Sequence, residues 1–301
     1  MPVINTSYKD MVRIIGHDVP MDTVLEQVPL MGGVIDEHEE GSDAIAIEFF
    51  PNRPDMYSAE GIARGLKAFL GFEPGLKKYE LGKSDVKAIV TDEIKKIRPY
   101  FMGCVVKGVT IDDQALRSIM ELQEKLHTTV GRKRTKLAIG VHDLDKVRPP
   151  FTFKAVDPDS MSFVPLAKAE AMTPREVLSK HEKGKAFAHL MDGFDKFPII
   201  FDADGNVLSF PPIINGALTT VTENTRNIFI DSYVIIVIIP FMPGSGAHHS
   251  AARLFCLRTG SPHRRQWRNR PRRGCGFPWA RRPGSSAGCS ARRRCPCCRC
   301  C

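Results

Sequence analysis

The amino-acid sequence predicts an α+β fold in two domains, followed by a C-terminal tail that does not belong to it. Short helix and strand patterns follow one another in mixed order, whereas a doubly wound sheet requires regular strand–helix alternation. All 34 acidic residues lie in 1–231, and all 14 basic residues after residue 231 are Arg. Residues 1–231 therefore carry 29 basic against 34 acidic side chains. The net charge of +9 comes from the tail and does not predict nucleic-acid binding by the folded part.

Residues 1–80 are predicted to form a small N-terminal α+β domain. Pro20 precedes the second helix, as a helix start permits, and Ser58 is suited to cap the third, which Gly71 ends. A Gly-Gly pair at 32–33 and an acidic turn at 39–43 flank two strands. The predicted elements are the helices Ser7–Ile15, Met21–Leu30 and Ser58–Leu70 and, as the second strand, Ala44–Phe50.

A linker at 74–84 leads to a second domain, residues 85–231, for which a mixed sheet is predicted. Thr173, Pro174 and Glu176 form a helix start with a capping box, and Asp112 or Asp113 is expected to cap an earlier helix. The run Asp-Gly-Asn at 204–206 predicts a tight turn. The predicted strands are Met102–Thr110, Leu137–Val141, Pro198–Phe201, Val207–Phe210, Leu218–Thr222 and Asn227–Ile230.

Residues 232–301 are predicted to be a frameshifted, non-native and disordered tail. The tail has no acid and no Lys, is dominated by Arg, Pro, Gly and Cys, and lacks helix or strand periodicity. Eight of the nine cysteines lie in it, so a metal site is the functional alternative. Zinc sites usually carry paired ligands separated by a loop, whereas these cysteines end in the clump CPCCRCC. We therefore favour a tail without metal.

The protein is expected to be cytoplasmic. Cys104, the one cysteine of residues 1–231, suits a reducing compartment, and the N-terminus lacks the basic and apolar regions of a secretory signal. The most apolar run, residues 233–242, is far shorter than the roughly 20 residues that a membrane helix needs. We therefore expect no association with a membrane.

Three stretches of the chain carry motifs that point to one family. Residues 52–71 read NRPDMYSAEGIARGLKAFLG, residues 131–153 join a basic turn to AIGVHD, and residues 197–231 contain FPIIFDADGNVLSFPPIIN. In this order they resemble the β subunit of phenylalanyl-tRNA synthetase of the archaeal and eukaryotic type. The third stretch resembles the heart of its B3/B4 domain, a tRNA-editing module. The resemblance implies that 85–231 form such a domain, incomplete on its C-terminal side.

The resemblance also implies partners and cofactors. The family esterifies tRNA(Phe) with phenylalanine, using ATP and Mg²⁺, in a heterotetramer whose aminoacylation site lies on the α subunit. The chain is therefore expected to bind tRNA(Phe) and the synthetase α subunit, not DNA, and to need no cofactor or metal of its own. By itself it is not expected to activate phenylalanine.

Hydrolysis of wrongly charged tRNA is the chemistry that the resemblance implies for this chain. Tyrosine differs from phenylalanine by one hydroxyl, and a pocket shaped for phenylalanine rejects such an isostere by only about 10². A second site that recognises the hydroxyl and cleaves the aminoacyl ester removes the error. That site needs a positioned water, an acceptor for the phenol or the ammonium group, and an apolar slot for the ring.

Four residues match the editing pocket of the family. Asp231 is expected to accept a hydrogen bond from the phenol or the ammonium group. Ser209 and Asn215 are expected to orient the substrate or the water, and Ile200 to pack the ring. Each residue has a structural alternative: Asp231 as a solvated strand end and Ser209 as an outward strand position. Asn215 could instead cap a turn, and Ile200 could be a core residue. After the acid the family continues with a Thr and a packing helix, whereas this chain reads Ser-Tyr-Val at 232–234.

Basic residues and histidines supply further candidates. A basic cluster lies inside the acidic body, and because tRNA is implied, we expect it to contact phosphates rather than to be only a solvated face. The cluster consists of Arg132, Lys133, Arg134 and Lys136. Three histidines titrate near neutral pH, but none has a partner at a readable spacing, so structural roles are favoured over acid–base roles. They are His142, His181 and His189, and they form no metal-binding pattern.

Three functions compete at this stage. Hydrolytic editing by a truncated synthetase β subunit is favoured. A free-standing editing protein is disfavoured, because the N-R-P-D domain belongs to the subunit architecture. A non-enzymatic tRNA-binding or subunit-assembly fragment is the alternative from another class, and retention of tRNA binding without ester cleavage would distinguish it.

Overall fold

The computed structural model describes residues 2–75, 79 and 81–234, together with the backbone of 253–256. The described helices are α1 (Tyr8–Ile15), α2 (Met21–Leu30), α3 (Ala59–Phe69), α4 (Asp113–Thr128), α5 (Pro174–Lys180) and α6 (Glu182–Phe187). The described strands are β1 (Val3–Ser7), β2 (Gly33–Glu37), β3 (Ala44–Phe49), β4 (Leu81–Lys83), β5 (Ala88–Val90), β6 (Tyr100–Lys107), β7 (Leu137–Asp143), β8 (Phe151–Val156), β9 (Phe197–Phe201), β10 (Val207–Phe210), β11 (Ile214–Asn215), β12 (Asn227–Val234) and β13 (Arg253–Cys256).

The N-terminal region is a three-stranded antiparallel sheet, in the order β1-β3-β2, covered by α1, α2 and α3. Every second residue of β3 is buried because the side chains of a strand alternate between its faces: Ile45, Ile47 and Phe49 enter the core. The three predicted helices are confirmed. The strand β1 was not predicted, because of its five residues Ile4 alone is buried and no alternation is visible.

The N-R-P-D loop is fixed to the start of α3. The Ser58 hydroxyl accepts a hydrogen bond from the Gly61 amide at 3.1 Å, which confirms the predicted cap. A Cβ at Gly61 would lie 2.0 Å from the Asp55 carbonyl oxygen, so only glycine allows the loop to approach the helix this closely. Arg53 pairs with Asp55 at 3.0 Å. The motif is therefore a structural corner of the N-terminal region.

The second region consists of two five-stranded sheets, ordered β11-β10-β9-β8-β5 and β4-β13-β6-β12-β7. Apolar residues of β8, β9 and β10 share one core with residues of β6, β7 and β12, so the two sheets pack face to face. Helices α5 and α6 cover the outer face of the first sheet, and α4 covers the outer face of the second. This arrangement confirms the predicted α+β class with mixed sheets, because β5 pairs with β8 in parallel and β8, β9, β10 and β11 pair antiparallel.

Helix α4 contacts both regions of the protein. Ala115 and Ile119 pack on the β6-β12-β7 sheet, whereas Leu122 and Leu126 pack on the N-terminal core. The Ser118 hydroxyl also donates a 2.7 Å hydrogen bond to Glu60 on α3. Asp112 caps the helix by accepting a hydrogen bond from the Ala115 amide at 2.7 Å, which settles the choice between the two predicted caps.

Several boundaries differ from the prediction. The predicted strand at 218–222 is instead a short 3₁₀ turn, Ala217–Thr219, followed by irregular chain, because its threonines hydrogen-bond locally: Thr220 donates to the Ala217 carbonyl at 2.7 Å. Strands β5, β8 and β11 were not predicted. β4 lies inside the expected linker, and β12 continues three residues past Asp231. Of the predicted tail beyond Val234, only the backbone of β13 is described, between β4 and β6; the cysteine clump lies outside the described residues.

Candidate functional site

The four predicted pocket residues lie together between the two sheets. Ser209 on β10 stands opposite Ile200 on β9 and opposite Asn215 on β11, so these three form one row across the first sheet. Asp231 lies on β12 in the facing sheet, paired with Gly140 of β7. The Asn215 side-chain amide donates to the Val141 carbonyl of β7 at 3.4 Å, which connects the row to the strand beside Asp231.

Asp231 is a fully buried carboxylate held by a histidine. Its Oδ2 atom lies 3.1 Å from His142 Nε2, and His142 Nδ1 lies 2.8 Å from the Thr219 hydroxyl. The Thr219 hydroxyl in turn donates to the Leu208 carbonyl at 3.3 Å, so the imidazole is held between a carboxylate and a hydroxyl. Among the described residues, Asp231 Oδ1 has no hydrogen-bond partner. A buried carboxylate oxygen without a partner is costly, and such atoms mark candidate ligand sites.

Gly140 makes room for this pair. A Cβ at this position would lie 2.3 Å from Asp231 Oδ1 and 2.6 Å from His142 Nε2, both far below van der Waals contact. The A-I-G segment therefore supplies a strand position without a side chain, where the carboxylate and the imidazole meet.

Sequence reasoning did not find the partner of His142. The two residues of the pair are separated by 89 positions, and no spacing or periodicity relates them. They meet because β7 and β12 are antiparallel neighbours and because both side chains point into the core. His142 therefore contacts a predicted pocket residue, and no pattern in the sequence indicated this contact.

Tyr233 joins the two halves of the site. Its hydroxyl lies 3.3 Å from the Ser209 hydroxyl, and its ring lies 5.4 Å from the Phe153 ring, measured between centroids. Burial raises the pKa of the phenol well above its ordinary value, and the negative charge of Asp231 raises it further. Tyr233 is therefore an uncharged phenol within the pocket that the sequence predicts.

The site is closed to solvent. Ile200 and Asp231 are 0% exposed, Ser209 is 1% exposed and Tyr233 is 2% exposed, whereas Asn215 is half-buried. A surface depression of about 640 Å³ lies instead in the N-terminal region, lined by residues of α1, α2 and the turn before β3, and it contains none of the predicted pocket residues. An aminoacyl group could enter only if side chains of the site moved.

The predicted basic cluster forms an unusual turn after α4. Arg132, Lys133 and Arg134 have φ angles of 47°, 52° and 65°, so the backbone of three successive non-glycine residues is left-handed. This conformation costs about 1–2 kcal/mol per residue and persists only where surrounding contacts impose it. The Arg98 guanidinium supplies two of those contacts by donating to the carbonyls of Thr135 at 2.9 Å and Arg134 at 3.2 Å. Burial lowers the pKa of Arg98 to about 10.

Arg134 does not fit the prediction of a phosphate contact. Its side chain is buried, donates to the carbonyls of Pro212 at 3.2 Å and Ile213 at 2.8 Å, and pairs with Glu124 at 2.7 Å. Its guanidinium also lies 4.5 Å above the Phe187 ring. Arg134 therefore anchors the turn, and a charge run in the sequence could not reveal which member points inward. Arg132 and Lys133 are exposed and Lys136 is half-buried.

The other predicted histidines are not part of the site. His181 is buried and caps α6, because its Nδ1 accepts a hydrogen bond from the Lys183 amide at 3.1 Å. His189 is exposed on a short 3₁₀ turn. No group of three potential metal ligands occurs within residues 2–75, 79 and 81–234. No helix in the described part of the chain is long and apolar enough to cross a membrane.

The region of two packed sheets belongs to a known class of domain. A family model described as "B3/4 domain" matches residues 97–237. The chain is 51% identical over 233 residues to the phenylalanine--tRNA ligase β subunit of Methanocaldococcus jannaschii, and 48% identical over 231 residues to that of Methanothrix thermoacetophila. Each match covers 77% of this chain and 42% of the relative. The chain thus spans about two-fifths of the length of these curated relatives.

A solved structure covers both regions. The crystal structure of an N-terminal fragment of the phenylalanyl-tRNA synthetase β subunit from Pyrococcus horikoshii matches with a TM-score of 0.78 and 35% sequence identity. The match covers 86% of this chain and 77% of that fragment. The chain belongs to the phenylalanine--tRNA ligase β-subunit family.

Proposed function

We propose that the B3/4 domain of this chain is the editing part of a phenylalanine--tRNA ligase and hydrolyses Tyr-tRNA(Phe). One observation carries the proposal: a buried carboxylate, one oxygen of which has no partner among the described residues, faces a row of one apolar and two polar side chains from the opposite sheet. This set supplies the hydrogen-bond acceptor and the apolar wall that a phenol requires.

The residues take separate roles in this proposal. Asp231 accepts a hydrogen bond from the phenol or the ammonium group, and Ile200 packs the ring. Ser209 and Asn215 orient the substrate or the attacking water. The water oxygen attacks the ester carbonyl, the bond between that carbonyl carbon and the ribose oxygen breaks, and the ribose oxygen takes the proton that the water loses. The products are free tyrosine and uncharged tRNA(Phe).

The larger assembly is proposed from the resemblance to the family. We propose that the chain works with a synthetase α subunit in a heterotetramer that charges tRNA(Phe) with phenylalanine, and that ATP and Mg²⁺ are used there, with no cofactor held by this chain. Arg132, Lys133 and Lys136 are proposed to contact tRNA phosphates, because the left-handed turn projects the first two of them from the surface.

A second function is favoured by a specific observation. The site is closed to solvent and Tyr233 lies within it, so the chain could bind tRNA or support subunit assembly without cleaving an ester. Catalysis and binding have to be measured separately to tell these functions apart.

The test is deacylation of Tyr-tRNA(Phe) and of Phe-tRNA(Phe), with tRNA affinity measured in parallel. It uses the full chain, Tyr233→Thr, and Tyr233→Thr combined with Asp231→Asn, which keeps the shape of the side chain but removes its charge. Glu170→Gln in the Tyr233→Thr background is the matched control, since it removes one negative charge at an exposed position.

We expect hydrolysis of Tyr-tRNA(Phe) only, reduced roughly 10²-fold by Asp231→Asn and unchanged by Glu170→Gln. Absence of hydrolysis in both the parent chain and a folded Tyr233→Thr variant would contradict the editing function. If these proteins still bound tRNA, the non-enzymatic function would replace it.

A further inference from the structure

The side chain of Tyr233 has the chemistry of the substrate that the proposed site would select. It presents a phenol whose hydroxyl lies 3.3 Å from Ser209 Oγ, in a core cluster that also contains Ile200. Asp231 precedes it by two residues on β12, so both side chains point to the same face of the strand. The three groups assigned to a bound tyrosine are therefore arranged around a tyrosine of the chain itself.

The packing shows that this ring fills the space between the sheets. Its centroid lies 6.0 Å from the ring of Phe101 on β6 and 5.4 Å from the ring of Phe153 on β8, both in tilted geometry. Only 2% of Tyr233 is exposed. Aromatic pairs at these distances stabilise the buried position, so the ring does not leave it without a cost.

We propose that Tyr233 is an internal plug that occupies the binding slot for a phenol, and that removing its ring opens a cavity that binds phenols in preference to benzene rings. The identity of the slot as the tyrosine subsite rests on the proposed function, whereas the cavity and its preference for a hydroxyl rest on the contacts of Tyr233 alone. A core tyrosine without a polar partner would leave a cavity too, but that cavity would not favour phenol over benzene. Faster deacylation after loss of the ring is what distinguishes a plug from any hydrogen-bonded core tyrosine.

The preference follows from the polar groups that the substitution leaves behind. Tyr233→Ala keeps the Cβ atom, so the space it opens has the shape of one phenol molecule. The Ser209 hydroxyl then loses its Tyr233 partner, and Asp231 Oδ1 has no partner among the described residues. Phenol can restore a hydrogen bond in the cavity, whereas benzene leaves these groups unpaired. Apolar cavities of this kind bind benzene readily, so benzene is a demanding comparison.

The experiment measures binding of phenol and of benzene to the full chain and to Tyr233→Ala, by titration calorimetry and by the shift in unfolding temperature. We expect phenol to bind Tyr233→Ala roughly tenfold more tightly than benzene, and that ratio to fall when Ser209→Ala is added, because one of the two polar groups is then gone. Neither probe is expected to bind the parent chain or Tyr233→Phe, because both keep the ring. Three outcomes would overturn the proposal. They are binding of phenol to the parent chain as tight as to Tyr233→Ala, no binding of phenol to a folded Tyr233→Ala, and equal affinity of Tyr233→Ala for phenol and benzene.

Two further measurements keep the proposal testable if Tyr233→Ala does not fold. Refolding is repeated with phenol or benzene present: recovery with phenol alone supports the plug, and recovery with neither overturns it. Tyr233→Thr, which retains a strand-favouring side chain, serves in the same titrations.

Deacylation separates this proposal from the editing function. A faster reaction by Tyr233→Thr than by the parent supports both. Phenol binding without any deacylation would remove the editing function and leave the cavity. Equal deacylation by the parent and Tyr233→Thr would remove the plug and leave the editing function.

Discussion

Substitution of Gly140 by alanine tests how tightly β7 and β12 enclose the His142–Asp231 pair. The new Cβ would lie 2.3 Å from Asp231 Oδ1, so the carboxylate must retreat by about 1 Å to reach ordinary contact at 3.4 Å. Neither member of the pair has solvent to move into, since both are 0% exposed. Overpacking of a core costs about 1–3 kcal/mol, and loss of a hydrogen bond to a charged group costs about 1.5–3 kcal/mol.

We therefore expect Gly140→Ala to lower the free energy of unfolding by about 3 kcal/mol. For a folded body of this size, that loss corresponds to a fall in unfolding temperature of about 6–12 °C. Chemical denaturation followed by circular dichroism measures it. Gly65→Ala is the matched control, because the Cβ there meets the flexible end of Met56 and alanine favours the helix; a change within about 0.5 kcal/mol is expected.

A double-mutant cycle identifies the cause. In an Asp231→Ala background, Gly140→Ala should cost at least about 1 kcal/mol less, because the clashing oxygen is gone. The same cost in both backgrounds, or a cost no larger than that of Gly65→Ala, would refute the reasoning.

Two further predictions concern the turn after α4. Arg134→Met should destabilise the chain by about 3 kcal/mol, because it removes the buried donor to two carbonyls, and should leave the salt dependence of tRNA binding unchanged. Exposed Lys133→Met should leave the stability nearly unchanged and should reduce the magnitude of the slope of log K for tRNA binding against log salt concentration by about 1. The interaction with His127 lowers the pKa of Glu124 most from its ordinary value of 4.5, and the positive charges of Lys183 and Arg134 lower it further. Its contribution to stability is therefore complete above pH 4.5 and is lost as the pH falls below it. The carboxylate is half-exposed, so the free energies of unfolding of the parent and Glu124→Gln should differ by only about 1 kcal/mol at pH 5. This difference should shrink as the pH falls to 3, and a constant difference would contradict the reasoning.

The sequence predicted those parts of the fold that local chemistry determines. Ser58 and the Thr173–Glu176 capping box are visible as short motifs, and both caps form as expected. The five residues of β1 carry no alternation. The threonines near residue 220 form hydrogen bonds with groups close by in the chain instead of joining a sheet. Pairing between distant strands decides such segments, and short patterns do not record it.

The site was predicted through family resemblance more than through residue patterns. Ile200, Ser209, Asn215 and Asp231 lie together as expected, but the register of β9, β10 and β11 that aligns the first three is not readable in one sequence. The contact of His142 with Asp231 depends on strands far apart in the chain. The inward direction of Arg134 depends on the left-handed turn, for which no glycine gives a signal.

Helix α4 has a consequence for engineering. Leu122 and Leu126 complete the N-terminal core, although they belong to the segment matched by the B3/4 model. An excised domain that starts after the linker would present both leucines to water, together with the unpaired Ser118 hydroxyl. Transplanting this B3/4 domain into another scaffold thus calls for polar residues at 122 and 126, or for retention of the first 70 residues to cover the two leucines.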